Sequence, residues 1–270
     1  MVTFRTMNKE LKSAIEAAKE AGSIIMKYYK SKYEIRDKSY HNPVTTADHA
    51  ADTFLKNKLK ELYPNYGWLS EETVDSKVRL SKKRAWVVDP LDGTKEFIEG
   101  VPHFVVSVAL VENGEPIIGV LYNPASKELF TAVKGQGAFL NGERLSCSTE
   151  KDFKNMVILN SRSETRNGLW KPYSTDFKEQ RAIGSVAYKL GLTSAAKADI
   201  FASLRPKNEW DICAGHCILR EAGGEMVNLE GKPITYNNEK TLITPGLIAS
   251  NAEILDDSIN LFMQKKNNYE

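Results

Sequence analysis

Asp89 and Asp92 stand three residues apart in Trp86-Val87-Val88-Asp89-Pro90-Leu91-Asp92-Gly93-Thr94, a spacing with chemical consequences. The apolar run Ala85 to Val88 predicts a buried strand. Pro90 predicts its end, because proline cannot extend a central ladder. Asp92-Gly93 predicts a turn and a helix start. Two carboxylates at a strand end are hard oxygen donors that suit Mg²⁺, and the free N–H groups of a helix start suit a phosphate. A cation site beside an anion site is what a metal-assisted phosphatase needs. Taken alone, the same residues also fit ordinary turn chemistry, with Asp92 as a helix cap.

Three further acids fall at predicted element ends. Ser70-Glu71-Glu72-Thr73 follows a strand candidate at Tyr66–Leu69, and its acidic pair reads either as a solvated turn or as a metal ligand. Asp211, in Glu209-Trp210-Asp211, lies in the first turn of a helix with the apolar stripe Ile212, Gly215, Ile218, Leu219 and Ala222, ended by Gly223-Gly224. Asp48 is three residues after Thr45, a capping-box spacing that by itself accounts for the acid. Spacing alone does not bring these residues together.

The elements that must position them read as follows. A helix is predicted over residues 8–29 and a polar loop over 31–43. A second helix runs from Asp48 to Leu62 and is closed by Pro64. A charged, mobile loop spans 74–84. Strands are predicted at Phe104–Val111, Pro116–Tyr122 and Glu128–Val133, with Asn113-Gly114 as a hairpin turn. This first half is two helices plus an antiparallel sheet. Strands at Met156–Leu159, Gln180–Ile183 and Ile200–Leu204 then alternate with helical segments, including Ala187–Ala198. A strand at Leu247–Ala249 and a helix from Ala252 to about Gln264 finish the chain. The boundary falls between an α+β domain over 1–147 and an α/β domain over 148–270.

With 41% hydrophobic and 27% charged residues, the 270-residue chain has an ordinary globular composition. A net charge of +2 gives no broad basic field, so binding to a nucleic-acid polymer is not expected. No run of 18 apolar residues predicts a transmembrane helix, and Met1–Leu11 lacks an apolar signal core. Three cysteines, an odd number, fit reduced thiols and a cytoplasmic location. Cys213, His216 and Cys217 share about one helical turn, but beside an apolar stripe they read as core rather than as a metal site.

Glu71-Glu72, then Asp89-Pro90-Leu91-Asp92-Gly93-Thr94, then Trp210-Asp211 before Ala214-Gly215 resemble, in that order, the inositol monophosphatase family. These are Mg²⁺-dependent, lithium-sensitive phosphatases that also include fructose-1,6-bisphosphatases and 3′(2′),5′-bisphosphate nucleotidases. The resemblance extends to Asp48 in Val44-Thr45-Thr46-Ala47-Asp48 and to Gly184-Ser185. It implies a layered α/β/α/β/α sandwich with the active site between the halves, two or three Mg²⁺ per site, a small phosphorylated metabolite as substrate, and compatibility with a homodimer. Residue by residue, it implies that Glu71, Asp89 and the carbonyl of Leu91 hold one Mg²⁺, and that Asp89, Asp92 and Asp211 hold a second. It implies that Gly93 and Thr94 present N–H groups to the phosphate, with Gly184 and Ser185 also at the substrate. Thr94 and Asp48 are implied to position and deprotonate the attacking water.

Lys95-Glu96-Phe97 and the length of the span Ala198–Asp211 are similar to the bisphosphate nucleotidases. The implied substrate is therefore 3′-phosphoadenosine 5′-phosphate, with inositol monophosphate and then fructose 1,6-bisphosphate as alternatives. Ser203 departs from that branch, which usually has arginine there. Arg205 and Lys207 are the nearby cations that could meet a second phosphate. A catalytically idle sensor on the same fold would be expected to lack one of Asp48, Glu71, Asp89, Asp92, Thr94 or Asp211, and all six are present.

Overall fold

The structure, a computed structural model, describes residues 4–39 and 42–267. Helix α1 (Phe4–Tyr28) leads into a hairpin of β1 (Ile35–Ser39) and β2 (Asn42–Thr45), then α2 (Thr46–Leu62). The polar stretch expected to be a loop is therefore a small ribbon, although residues 40 and 41 within it, like residues 1–3 of the N-terminal segment, lie outside the described residues. Its sequence, Ile35-Arg36-Asp37-Lys38-Ser39 and Asn42-Pro43-Val44-Thr45, is too polar to show apolar alternation. Helix α2 begins as the Thr45–Asp48 spacing predicts, with a complete capping box.

A seven-stranded sheet follows, in the spatial order β3 (Gly67–Ser70), β4 (Arg84–Asp92), β5 (Val105–Glu112), β6 (Glu115–Asn123), β7 (Glu128–Val133), β8 (Gly137–Leu140) and β9 (Glu143–Arg144). All its pairings are antiparallel except β3 with β4. The short helix α3 (Thr94–Ile98) leaves the end of β4. Val74–Arg84, expected to be mobile, contains a 3₁₀ turn anchored by Arg79, which is 2% exposed and hydrogen-bonded to Asp75, Asn237 and the Asn238 carbonyl.

The second half contains β10 (Val157–Ser161), α4 (Arg162–Arg166), β11 (Glu179–Ile183), α5 (Val186–Ser194), β12 (Ile200–Ser203), β13 (Lys207–Asn208), α6 (Glu209–Glu221), β14 (Gly224–Asn228), β15 (Leu242–Ile243), β16 (Leu247–Asn251) and α7 (Leu255–Asn267). Its main sheet has the order β11-β10-β12-β16-β14, parallel at β11-β10-β12 and antiparallel beyond.

The layers follow from which faces are apolar. Helices α1 and α2 cover one face of the large sheet through Ala14, Ala18, Ala21, Ile25, Ala51 and Leu55, all fully buried. Helices α5 and α6 lie between the two sheets, where Leu190, Ile212, Ile218 and Leu219 meet Val87, Leu121, Phe201 and Ala249. Helix α7 packs on the outer face of the second sheet through Phe262, against Trp170 and Tyr173. The result is a five-layer α+β sandwich. The central apolar cluster draws on both sheets, so the segment around residue 147 separates the sheets without interrupting the core. Cys213 and Cys217 belong to that cluster. His216 is buried and bonded to Tyr236 and Glu225.

Candidate active site

Strand β4 carries the first two acids, and it does not stop at Pro90. Asp89 pairs opposite Ser107 and Asp92 opposite Val105, so one extra residue on β4 makes a bulge. Proline is tolerated there because a bulge leaves a residue outside the ladder. The bulge is locked by Leu91 N–H donating to Asp89 Oδ1 at 2.9 Å. Gly93 then turns the chain at φ 104°, and a methyl group there would also overlap the His103 carbonyl oxygen.

Glu71 arrives from the neighbouring strand, where its N–H donates to the Val88 carbonyl at 3.3 Å. Asp211 arrives on α6 as the acid of a second capping box, accepting from Asn208 N–H at 2.8 Å. One carboxylate oxygen from each of Glu71, Asp89 and Asp211 lies within 4.8 Å of the others. Asp92 stands beside them, with Oδ2 accepting from Ser185 Oγ and, at 2.6 Å, from Ala187 N–H at the start of α5.

Crowding these acids away from water penalises their charged forms. Burial first, then Glu71, Asp92 and Asp211, holds the Asp89 carboxyl well above the ordinary range. Burial, then Asp92 and Glu71, pushes Asp211 up to about 8. Asp92 is raised to about 6, chiefly by burial. Buried carboxylates that repel one another and offer only oxygen make a donor set that fits a hard divalent cation.

Behind this cluster, Thr94 Oγ1 lies 3.0 Å from Asp48 Oδ1 and 3.1 Å from the Leu91 carbonyl. The other Asp48 oxygen accepts from Thr45 N–H at 2.7 Å and Thr45 Oγ1 at 2.6 Å. The acid that caps α2 thus also holds the Thr94 hydroxyl. Burial raises the Asp48 carboxyl.

A cleft of about 280 Å³ opens over the acids. Glu71, Asp89, Leu91, Asp92, Gly93, Thr94 and Asp211 line it, together with Gly184, Ser185 and Lys207. Arg205 is exposed and is not among the lining residues. Arg162, Arg166 and Lys189, which no sequence motif singled out, form a cationic wall of the same cleft together with Lys207. Ser161-Arg162-Ser163-Glu164 has the Ser-x-x-Glu spacing of a helix start directly after a strand, and Ser161 Oγ does accept from Glu164 N–H. That signal would have placed two arginines at a strand end. Lys189 had none, because it sits in an apolar helix. Its ammonium donates to the Ile183 and Ser185 carbonyls at 3.1 and 2.8 Å, and burial pushes it down to about 8. At the position where an arginine was expected, Ser203 Oγ instead donates to Glu164 Oε1 at 2.7 Å. It thereby seats α4, the helix that carries the arginines of the wall.

The sequence profile of the inositol monophosphatase family matches residues 7–265. The chain is 35% identical to inositol monophosphatase 2 of Solanum lycopersicum over 259 residues, covering 92% of this chain and 95% of that protein. Among solved structures, the Thermotoga maritima IMPase superposes with a TM-score of 0.86 at 28% identity, covering 97% of this chain and all of that one. CysQ from Bacteroides thetaiotaomicron, described as a bacterial member of the same family, gives 0.73 at 32% identity, covering 90% and 97%. Profile, relatives and layered fold agree, and the chain belongs to the inositol monophosphatase family of metal-dependent phosphatases, hydrolases of phosphate monoesters.

Proposed function

We propose that this phosphatase acts on a small phosphorylated metabolite, with inositol monophosphate as the first candidate, using Mg²⁺ held by Glu71, Asp89, Asp92, Asp211 and the Leu91 carbonyl. The observation that carries the chemistry is the meeting of carboxylates from β3, β4 and α6 within 4.8 Å. The donor set suits two or three ions. Bound there, Mg²⁺ would supply the positive charge that stabilises the attacking and leaving oxygens of an in-line displacement. The chain's own residues do the rest. Gly93 and Thr94 present backbone N–H groups to the phosphate. A water bonded to Thr94 Oγ1 can pass its proton to that hydroxyl as Thr94 hands its own to Asp48 Oδ1. The burial that raises Asp48 makes it the better base. The inositol reading is supported by relatives at 33–35% identity that are named inositol monophosphatases.

A second reading, 3′-phosphoadenosine 5′-phosphate as substrate, is favoured by the cationic wall. Arg162, Arg166, Lys189 and Lys207 line the same cleft as the acids, and a second phosphate would find partners in the more exposed Arg166 and Lys207. The test is phosphate release from both compounds with Mg²⁺. A higher kcat/KM for inositol monophosphate supports the first reading and a tenfold preference for the bisphosphate supports the second. Release from neither contradicts both. Inhibition by Li⁺ is expected under either reading.

A further inference from the structure

Glu96 is an acid at the cleft that the chemistry above leaves unused. It follows the Gly93-Thr94 turn on α3, is 7% exposed, and lies directly against Gly184. A methyl group on Gly184 would overlap both Cγ and Cδ of Glu96. Glycine is needed at 184 for this close approach. Arg162 fixes the wedge from the other side: Nη1 donates to Glu96 Oε1 at 2.9 Å and Nη2 donates to Glu99 Oε2. Helices α3 and α4, from opposite halves of the chain, are thereby joined across the cleft.

Beyond Gly184 the backbone is strained. Ser185 holds φ 57° and ψ 125°, a region that non-glycine residues enter only when their surroundings impose it. The surroundings that impose it are specific. Lys189 clamps the carbonyls of Ile183 and Ser185, and Glu96 blocks the Gly184 side. In that conformation Ser185 Oγ and Ala187 N–H both donate to Asp92 Oδ2. Among the described residues, both of these hydrogen bonds to the Asp92 carboxylate are made on one oxygen, which turns Oδ1 toward the other acids' cation site on the proposed reading.

We propose that Glu96 is a positioning residue. Wedged on Gly184 and held by Arg162, it sets the Gly184-Ser185 turn against Asp92 and so fixes the orientation of that carboxylate in the metal site. The proposal rests on Asp92 being a metal ligand. It gives a physical reason for glutamate in Lys95-Glu96-Phe97 and for the pairing of that glutamate with a glycine some ninety positions away. Partners that orient a metal ligand are worth about 10–100-fold in metal affinity.

The test is Mg²⁺ binding to the full chain by calorimetry, on the wild type and on Asp92→Asn, Glu96→Ala, Gly184→Ala and the Glu96→Ala/Gly184→Ala double variant. Each of the last two single changes is expected to raise the Mg²⁺ Kd about tenfold. The double variant is expected to bind no more weakly than the worse single one, because the new methyl enters space that the glutamate has vacated. Glu96→Gln keeps the wedge's shape and should lose less than Glu96→Ala. Additive losses in the double variant, about 100-fold together, would show two independent sites and overturn the wedge. So would an unchanged Kd in Glu96→Ala while Asp92→Asn weakens binding, a result that leaves the metal site intact. Unchanged binding in Asp92→Asn would overturn the metal-ligand reading and the proposal with it. If Gly184→Ala does not fold, Glu96→Ala alone decides.

Discussion

The two walls of the cleft are built differently. Among the acids, Glu71, Asp89, Asp92 and Asp211 are rooted at the ends of β3 and β4 and at the start of α6, and Asp89, Asp92 and Asp211 each have an oxygen tied to a nearby N–H or hydroxyl. Among the cations that line the same cleft, Arg162 and Arg166 come from the five-residue α4, and Lys207 comes from a two-residue strand. Arg166 keeps 61% of its side chain exposed, and its closest ion-pair oxygen, on Glu99, is 3.9 Å away. The difference assigns labour. Charge that must be placed to a fraction of an ångström for a displacement is carried by short side chains on rigid elements. On the proposed reading, charge that recognises the rest of a substrate would be carried by the longer, more exposed side chains on these short elements.

The largest expected effect breaks the acid wall. Asp89→Asn should cost a factor on the order of 10³ or more in kcat, read by phosphate release at saturating Mg²⁺. The metal-free variant should be at least as stable as the wild type, since the change removes one member of a repelling group. Near-normal turnover would reduce Asp89 to a turn residue.

The next prediction concerns pH. Folded Asp211 keeps its proton up to about 8, whereas the unfolded chain gives it up near pH 4. Between these values the folded state binds more protons, so metal-free stability should fall as pH rises from about 4 to about 8. Saturating Mg²⁺ should flatten or reverse that slope by displacing the proton. Thermal unfolding with and without Mg²⁺ across this window checks it, and a metal-free Tm that climbs with pH would contradict the crowded-carboxylate picture.

A smaller effect sharpens the cationic wall. Arg166→Ala should raise KM for a bisphosphorylated substrate about tenfold, the scale of one lost charged contact, and leave inositol monophosphate little changed. Arg205→Ala, outside the cleft, should change neither. If Arg205→Ala matched Arg166→Ala, the wall would act as general electrostatic steering.

The same division explains what could be read from the sequence. Asp89-Pro90-Leu91-Asp92-Gly93-Thr94 is legible because turn chemistry and metal chemistry demand those residues at adjacent positions. The capping box at Thr45–Asp48 is legible because it is local. Strand β14, Gly224–Asn228, was not anticipated: only Ala222 and Gly223 separate it from α6, it lies at a sheet edge, and its apolar residues are only Met226 and Val227. Pro90 marked a bulge and not a strand end, since the ladder continues past it through the pairing of Asp92 with Val105, a contact that the local run around Pro90 does not encode. The second wall depends on where α4 and α5 pack relative to β4, which no local pattern encodes. Arg205 and Lys207 both lie within two helical turns' worth of sequence of Asp211, yet of the two only Lys207 lines the cleft.

The most direct test of the metal-dependent account is phosphate release from inositol monophosphate and from 3′-phosphoadenosine 5′-phosphate by the chain stripped of metal and held in excess chelator. The account predicts no turnover of either compound, and its return with at least one of them when Mg²⁺ is added beyond the chelator. Full turnover in the chelator would contradict it, because the carboxylates that meet at Glu71, Asp89 and Asp211 would then be serving some purpose other than holding a cation.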